Sequence, residues 1–214
     1  MDPGGLVTDQ TPFDAVVLAG GAAERLGGAS KADVELDGRR LVDRVLVSVA
    51  DAREIAVVGD VEVPEGVHST LEDPPLGGPV AGVAAGLDAL TATDPAEWTV
   101  VLACDLADPL PALGRLLAAW SYAQRSDDVD TAEYDGWCLA DSTGYPQWLL
   151  GIHRTASLRR ALDQLGSPRD QSMKSLLADS VLVTVPAGDD AVADIDTWTD
   201  HAHWVERLRE QEPS

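Results

Sequence analysis

Short unbroken apolar runs alternate along the chain with longer segments whose apolar positions recur every three to four residues. FDAVVLA (13–19), EIAVVG (54–59) and WTVVLA (98–103) are of the first kind, and their length and β-branched content predict strands buried on both faces of a parallel sheet. LVDRVLVSVADA (41–52), PVAGVAAGLDAL (79–90) and LPALGRLLAAWSYA (110–123) are of the second kind and predict helices. Strand and helix in alternation at this spacing call for βαβ crossovers, so 12–124 is expected to form a doubly wound α/β half. An acidic break, RSDDVDTAEYD (125–135), ends that pattern. Beyond it, WCLAD (137–141), a turn at STG and YPQWLLGI (145–152) predict a hairpin. An amphipathic helix RTASLRRALDQL (154–165), a short QSMKSLLA (171–178), a strand VLVTV (181–185) and a helix TDHAHWVERLRE (199–210) follow. No internal repeat is present, so 125–210 is expected to complete one domain spanning 12–210, with 1–11 and 211–214 as frayed ends.

Charge narrows the function classes. A chain of 214 residues with net charge -22 is a poor match for a nucleic-acid binder, whose affinity comes mostly from phosphate neutralisation by Lys and Arg. The same charge disfavours an anionic membrane surface. Cys104 and Cys138 lie far apart without a CxxC pattern, and are expected as buried small apolar residues in a reducing compartment. The start, MDPGGLVTDQTP, is too polar for a signal peptide, and no apolar stretch approaches the roughly 18–20 residues of a membrane span. A cytoplasmic protein is expected. Basic residues are unevenly spread: from Gly144 to Lys174, five of them (Arg154, Arg159, Arg160, Arg169 and Lys174) face two acids, Asp163 and Asp170. This stretch reads either as a solvated helix face or as an anion site.

The first strand runs into LAGGAAERLGGASK (18–31), which holds one of the two lysines in the chain. Glycines after a strand let backbone N–H groups approach an anion. The loop is neither a P-loop, which needs GxxxxGK followed by Ser or Thr, nor a GxGxxG dinucleotide fingerprint.

LAGGAAERLGGASK does, however, resemble the signature loop of the molybdenum cofactor guanylyltransferases and their cytidylyltransferase relatives, roughly LAGGxSxRMGxDK. Leu18, Ala19, Gly20, Gly21, Arg25, Gly27 and Lys31 fall on it; Ala23 stands for the usual Ser, Leu26 for Met, and one residue is inserted before Ser30. Further matches follow in the family's order. EDPPLGGPVAGVAAGL (72–87) resembles D-x-x-P-x-x-GPLAGLxxGL, and VVLACDLADPLP (100–111) is similar to the CDxPxL strand end, with Ala107 in place of proline. YPQWLLGIHR (145–154) resembles QPLxALYR, with Trp148 for Pro and His153 for Tyr. QSMKSLL (171–177) resembles SxRxLL, and DIDTWTD (194–200) resembles NINTPED or DIDTPED. These six collinear matches cover about 14–200.

The resemblance implies an α/β fold: a doubly wound, Rossmann-like mixed sheet of nucleotidyltransferase type, whose C-terminal hairpin and helices complete the acceptor side. It implies transfer of a nucleoside monophosphate, with GTP as the favoured donor, to the terminal phosphate of molybdopterin, releasing pyrophosphate. Arg25 and Lys31 would clamp phosphates, and Leu18, Ala19, Gly20, Gly21, Lys31, Asp73, Gly82 and Asp105 would line the nucleotide site. A unit charge about 4 Å away is worth roughly 4 kcal/mol at an effective dielectric of 20, enough to change a rate by orders of magnitude. Asp105 directly follows an apolar run, where a charge is costly unless paired or metal-bound. It is the leading candidate ligand for Mg²⁺, with Asp194 or Asp196 as second, since magnesium takes one or two carboxylates plus phosphate oxygens and water. Arg154, Arg169 and Lys174 are acceptor-binding candidates, and Trp137 or Trp148 could stack on a ring. Gly82 could read the base or serve helix packing, and Cys104 has no identifiable base partner, so it reads as core. LAGG favours guanine, whereas DIDT is more common with cytidine-using relatives; the loop carries more weight because it is expected to touch the base. A CTP-dependent enzyme, another phosphorylated acceptor (a sugar phosphate, or phospholactate), and an inactive nucleotide-binding regulatory module are the alternatives. Transient contact with proteins that donate or receive the cofactor is also expected.

Overall fold

A computed structural model describes residues 11–20, 30–90 and 94–211. Gly21 and Arg25, with the rest of the 21–29 loop, lie outside the described residues, as do 1–10 and 212–214. Among the described residues the main sheet has seven strands: β1 (Phe13–Leu18), β4 (Ile55–Val58), β5 (His68–Thr70), β6 (Trp98–Ala103), β7 (Gly136–Ala140), β8 (Pro146–Arg154) and β9 (Leu182–Pro186). Their order is β5-β4-β1-β6-β8-β7-β9. Neighbours pair in parallel except at β8, which runs against both β6 and β7. The predicted doubly wound half and the predicted hairpin are both present. The sheet is mixed, and the chain reverses its order of travel between β1 and β6.

Six helices flank the sheet among the described residues: α1 (Leu41–Ser48), α2 (Pro79–Ala89), α3 (Pro109–Arg125), α4 (Thr155–Leu165), α5 (Met173–Leu176) and α6 (Trp198–Gln211). Every residue of β1 is buried, and its side chains alternate between two cores. Phe13, Ala15 and Val17 pack with Val42, Val45, Leu113, Leu116 and Trp120 of α1 and α3. Val16 and Leu18 pack with Val80, Val83 and Leu87 of α2 and with Leu158 of α4. That two-sided burial is why the strand reads as a continuous apolar run. Close approach of α2 depends on Gly86, where an added Cβ would lie 2.4 Å from Val16 Cγ1.

A third, smaller cluster joins α6 to the front of the molecule. Trp204 and Ile195 pack with Val34, Leu36, Leu41 and Ala107. Leu36 belongs to a two-stranded antiparallel pair, β2 (Glu35–Leu36) and β3 (Arg39–Arg40). Ala107 stands where the resembled motif carries proline, and its N–H donates to the Ala193 carbonyl at 3.0 Å, a bond that proline could not make.

Among the described residues no helix is long and apolar enough to cross a membrane.

Candidate active site

The ends of β1 and β6 lie side by side, with Leu18 opposite Ala103 and the Cys104 N–H donating to the Leu18 carbonyl at 2.9 Å. This is the carboxyl edge of the parallel strands at the point where their order reverses, the usual ligand crevice of an open α/β sheet. Asp105 emerges there. A short 3-10 turn, Lys31–Asp33, follows the glycine loop and brings Lys31 to it, so that Lys31 Nζ donates to Asp105 Oδ2 at 2.9 Å. The same ammonium donates to Asp196 Oδ1. Asp194 flanks the group through an antiparallel bridge between Leu106 and Asp194, in which the Ile195 N–H donates to the Asp105 carbonyl at 2.9 Å. Residues separated by up to 165 positions thus meet at one point.

The electrostatics follow from that crowding. Burial works against the Lys31 charge, but the hydrogen bonds to Asp196 and Asp105 outweigh it, and the pKa rises above the ordinary lysine value. Asp194 is open to the cleft yet desolvated on its protein side; that desolvation first, and then the charges of Asp105 and Asp196, push its pKa up to about 7. The Cys104 thiol is pushed well above its usual range by burial, reinforced by Asp105, which leaves it a protonated core group as expected.

Two cavities meet at Asp105. One, of about 380 Å³, is walled by Leu18, Gly20, Val58, Glu72, Leu76, Gly78 and Gly82. The other, of about 480 Å³, is walled by Tyr145, Gln147, Trp148, Met173, Lys174 and Asp194. Pro79, Ala103, Asp105 and Leu149 line both. The first cavity carries the start of α2, whose exposed backbone N–H groups and helix dipole favour an anion. Gly78 sits there at φ +85, a conformation suited to glycine.

Other anticipated residues fall in different places. Gly82 both lines the first cavity and packs, an added Cβ meeting Leu18 Cδ2 at 3.0 Å. Ala19 is buried and lines neither cavity. Asp73 is exposed on the 71–77 rim and lines neither cavity, whereas its neighbour Glu72 does, its Oε1 accepting from the N–H groups of Leu76 at 3.0 Å and Gly77 at 3.3 Å. Arg169 donates to the Pro74 carbonyl at 3.1 Å and ties that rim to the α4–α5 connection. Lys174 lines the second cavity and, among the described residues, makes no hydrogen bond or ion pair.

Two expectations are corrected. Arg154 is not at the acceptor side: it pairs in register with Trp98 at the start of β6, the opposite end of the strand from Asp105. There it stacks over the Trp98 ring at 4.4 Å, pairs with Glu97 and donates to the carbonyls of Tyr134 and Thr131. Trp137 is a core residue, 2% exposed and edge-on to Trp98 at 5.6 Å, so it offers no stacking platform. The basic excess of 144–174 is therefore not a single anion site: Arg159 and Arg160 are also engaged elsewhere, with Asp88 and Asp135.

No group of three or more His, Cys, Asp or Glu among the described residues is arranged to hold a metal by itself. The donor chemistry at Asp105 and Asp196 nevertheless suits a hard divalent cation that takes one or two carboxylates and completes its shell with substrate oxygens. Lys31 bridges these two carboxylates as a cation would.

Comparisons with known sequences and structures bear on the family and the fold. Residues 15–185 match the family model described as MobA-like NTP transferase domain. The molybdenum cofactor guanylyltransferase of Rhodopseudomonas palustris (strain BisB5) is 40% identical over 106 residues, 46% of this chain and 50% of that protein. The one from Bradyrhizobium sp. (strain ORS 278) is 30% identical over 155 residues, 66% of each. The chain thus spans between half and two thirds of the length of these curated relatives. Among solved structures, molybdopterin-guanine dinucleotide biosynthesis protein A from Archaeoglobus fulgidus superposes with a TM-score of 0.65 at 19% identity, covering 92% of this chain and 100% of that one. A nucleotidyl transferase from Methanothermobacter thermautotroptrophicus gives 0.67 at 17% identity, covering 94% and 99%. At these identities the structures attest the fold.

Proposed function

The chain belongs to the MobA-like NTP transferase domain family, and from that membership and the cleft we propose that it transfers GMP from GTP to the terminal phosphate of molybdopterin, releasing pyrophosphate with Mg²⁺ as the cofactor. The guanylyltransferase names of the relatives support the choice of donor and acceptor. The observation that carries the reading is the cation–carboxylate cluster of Lys31, Asp105 and Asp196 beside the wall shared by two cavities.

In this reaction an oxygen of the acceptor phosphate attacks the α-phosphorus, the bond from that phosphorus to the bridging oxygen breaks, and pyrophosphate leaves with that oxygen. The protein needs to align two anions and to neutralise charge growing on the α-phosphoryl oxygens. The Leu18–Gly20 cavity takes the nucleotide, with its phosphates toward Asp105 and the start of α2. The Trp148–Lys174 cavity takes the acceptor, Lys174 meeting its phosphate. Lys31 supplies the fixed positive charge between them. Asp105 and Asp196 would hold Mg²⁺, which when bound contributes Lewis-acid charge stabilisation at the phosphates. The cysteine beside the site plays no covalent part, because its thiol stays protonated.

The test is a panel of four NTPs with molybdopterin and Mg²⁺, scored by pyrophosphate release, with Asp105→Asn as control. GTP-dependent release that disappears in Asp105→Asn, at an unchanged thermal midpoint, is the expected result. Binding of nucleotide without any pyrophosphate release would instead establish a regulatory module.

A further inference from the structure

Asp196 presents a mechanical problem. Its side chain is 53% exposed and, among the described residues, forms a hydrogen bond and ion pair with Lys31 alone. Exposed ion pairs of this kind are ordinarily weak and mobile. Ile195 is fixed by its burial beneath Trp204 and by its bond to the Asp105 carbonyl, but that anchor ends one residue short of Asp196.

We infer that Asp200, which lines neither cavity, is a positioning residue that fixes the Asp196 backbone so that its carboxylate stays in the cleft beside Lys31 and Asp105; the inference rests on the proposed nucleotidyl transfer. Asp200 Oδ2 accepts from Thr197 N at 2.8 Å and from Thr197 Oγ1 at 2.8 Å, while the Asp200 N–H donates back to Thr197 Oγ1 at 3.2 Å. This is a reciprocal capping box at the start of α6. The same oxygen also accepts from the Asp196 N–H at 3.3 Å, a bond the cap itself does not require. These bonds, that with Thr197 foremost, hold the Asp200 carboxyl below its ordinary pKa.

The helix that carries Asp200 is itself tied to the arm that carries Lys31. Trp204 is buried against Val34, Leu36 and Leu41. His201 Nε2 lies 2.7 Å from the Glu35 carbonyl, four residues after Lys31. The cap therefore transmits the position of one arm to the carboxylate on the other. Remove it, and Asp196 keeps its covalent place but loses the bond that fixes its backbone.

The experiment compares wild type, Asp200→Ala, Asp200→Glu and Asp130→Ala. Asp130 caps a short 3-10 turn at the far end of the sheet, accepting from Ala132 N at 3.0 Å, and serves as a cap-removal control. Two readouts are taken: pyrophosphate-release kinetics with GTP, and amide hydrogen exchange at Asp196 and Thr197 by NMR, which needs no turnover. In Asp200→Ala the exchange at 196–197 rises about tenfold. Its kcat falls about tenfold with the GTP KM within twofold, as expected when a group is displaced by a fraction of an ångström. Asp200→Glu, which can rebuild the box, returns both to within about threefold of wild type. Asp130→Ala moves neither. Unchanged exchange in Asp200→Ala, an equal kcat loss in Asp130→Ala, or a rise in GTP KM with kcat preserved would each overturn the inference. A wild type that releases no pyrophosphate, with the exchange effect still present, would overturn the proposed reaction and leave the positioning role standing.

Discussion

Replacing Lys31 by methionine keeps an unbranched side chain one atom shorter and deletes one charge, which makes it the sharpest probe of the cleft. In the resting site the ammonium lies 2.9 Å from Asp105 and also bridges Asp196. During transfer it would stand about 4 Å from a phosphoryl oxygen, an interaction of roughly 4 kcal/mol at an effective dielectric of 20. Lys31 and Asp105 are each one-fifth exposed, so solvent screening reduces that figure, and about 2 kcal/mol is a lower bound for a partly wetted cleft. The expected loss in kcat/KM is therefore roughly 30-fold to 1,000-fold. Folding provides a second check with a definite sign. The folded-state pKa of Lys31 is raised, so its contribution to stability is complete below the unfolded value of about 10.4 and is lost only as pH rises through the folded value. The deficit in thermal midpoint of Lys31→Met should accordingly persist from pH 6 to pH 9, growing across pH 7 because Lys31 holds the Asp194 pKa down, and should shrink only above about pH 10. Pyrophosphate release by Lys31→Met within threefold of wild type would refute the electrostatic account of the site.

Other expectations follow from neighbouring groups. Asp194 has a folded pKa of about 7, well above its unfolded value, so its contribution is most favourable below the unfolded pKa and is lost as pH rises through 7; Asp194→Asn should flatten the decline in thermal midpoint between pH 5 and 8. His153 is 1% exposed with neither ring nitrogen partnered among the described residues, and burial lowers its pKa to about 4. Stability is thus lost as pH falls through 6.5 toward 4, and His153→Phe should raise the midpoint at pH 5 by roughly 4–8 °C while removing that acid dependence. Lys174→Ala should raise the KM for the acceptor and leave that for GTP unchanged in steady-state kinetics. Arg154→Ala should do the reverse of a site variant, lowering the thermal midpoint with kcat/KM preserved.

The alternating pattern made the nucleotide half readable, because strands buried on both faces have no choice but to be apolar throughout. β6 begins and ends where its apolar run does, and β1 and β4 lie within theirs. Elements that make little use of burial escaped. β5 is three residues, His-Ser-Thr, held by pairing to β4, and the β2–β3 pair turns tightly at Asp37 and Gly38 with two residues on each side. The meeting of Lys31 with Asp105 depended on topology, which the collinear motifs carried and the periodicity did not. Arg154 was misplaced for a reason that direction explains: an antiparallel β8 puts its beginning, Pro146 to Trp148, at the cleft and its end at the opposite edge. The last helix begins at Trp198, one residue before the predicted start at 199, and nothing in the spacing shows that Asp200 caps it and also reaches the Asp196 amide.

Taken together, the charges at the cleft set a condition on any reaction it performs. Among the described residues, Asp105, Asp194 and Asp196 crowd a single ammonium, and the raised pKa of Asp194, due first to desolvation, is pushed further by the charges of Asp105 and Asp196. A triphosphate entering such a place meets repulsion unless it exchanges partners with the carboxylates. Lys31 must turn from carboxylate to phosphate, and the carboxylates it leaves must then be balanced in some other way. Protonation of Asp194 near neutral pH is one way to shed a charge, and a divalent cation held by Asp105 and Asp196 is the other. Under the proposed reaction the second is required for turnover, since a proton on Asp194 places no positive charge beside the α-phosphoryl oxygens. The acidity of the site is thus not at odds with an anionic substrate. It makes binding conditional on the cation that the transfer chemistry needs.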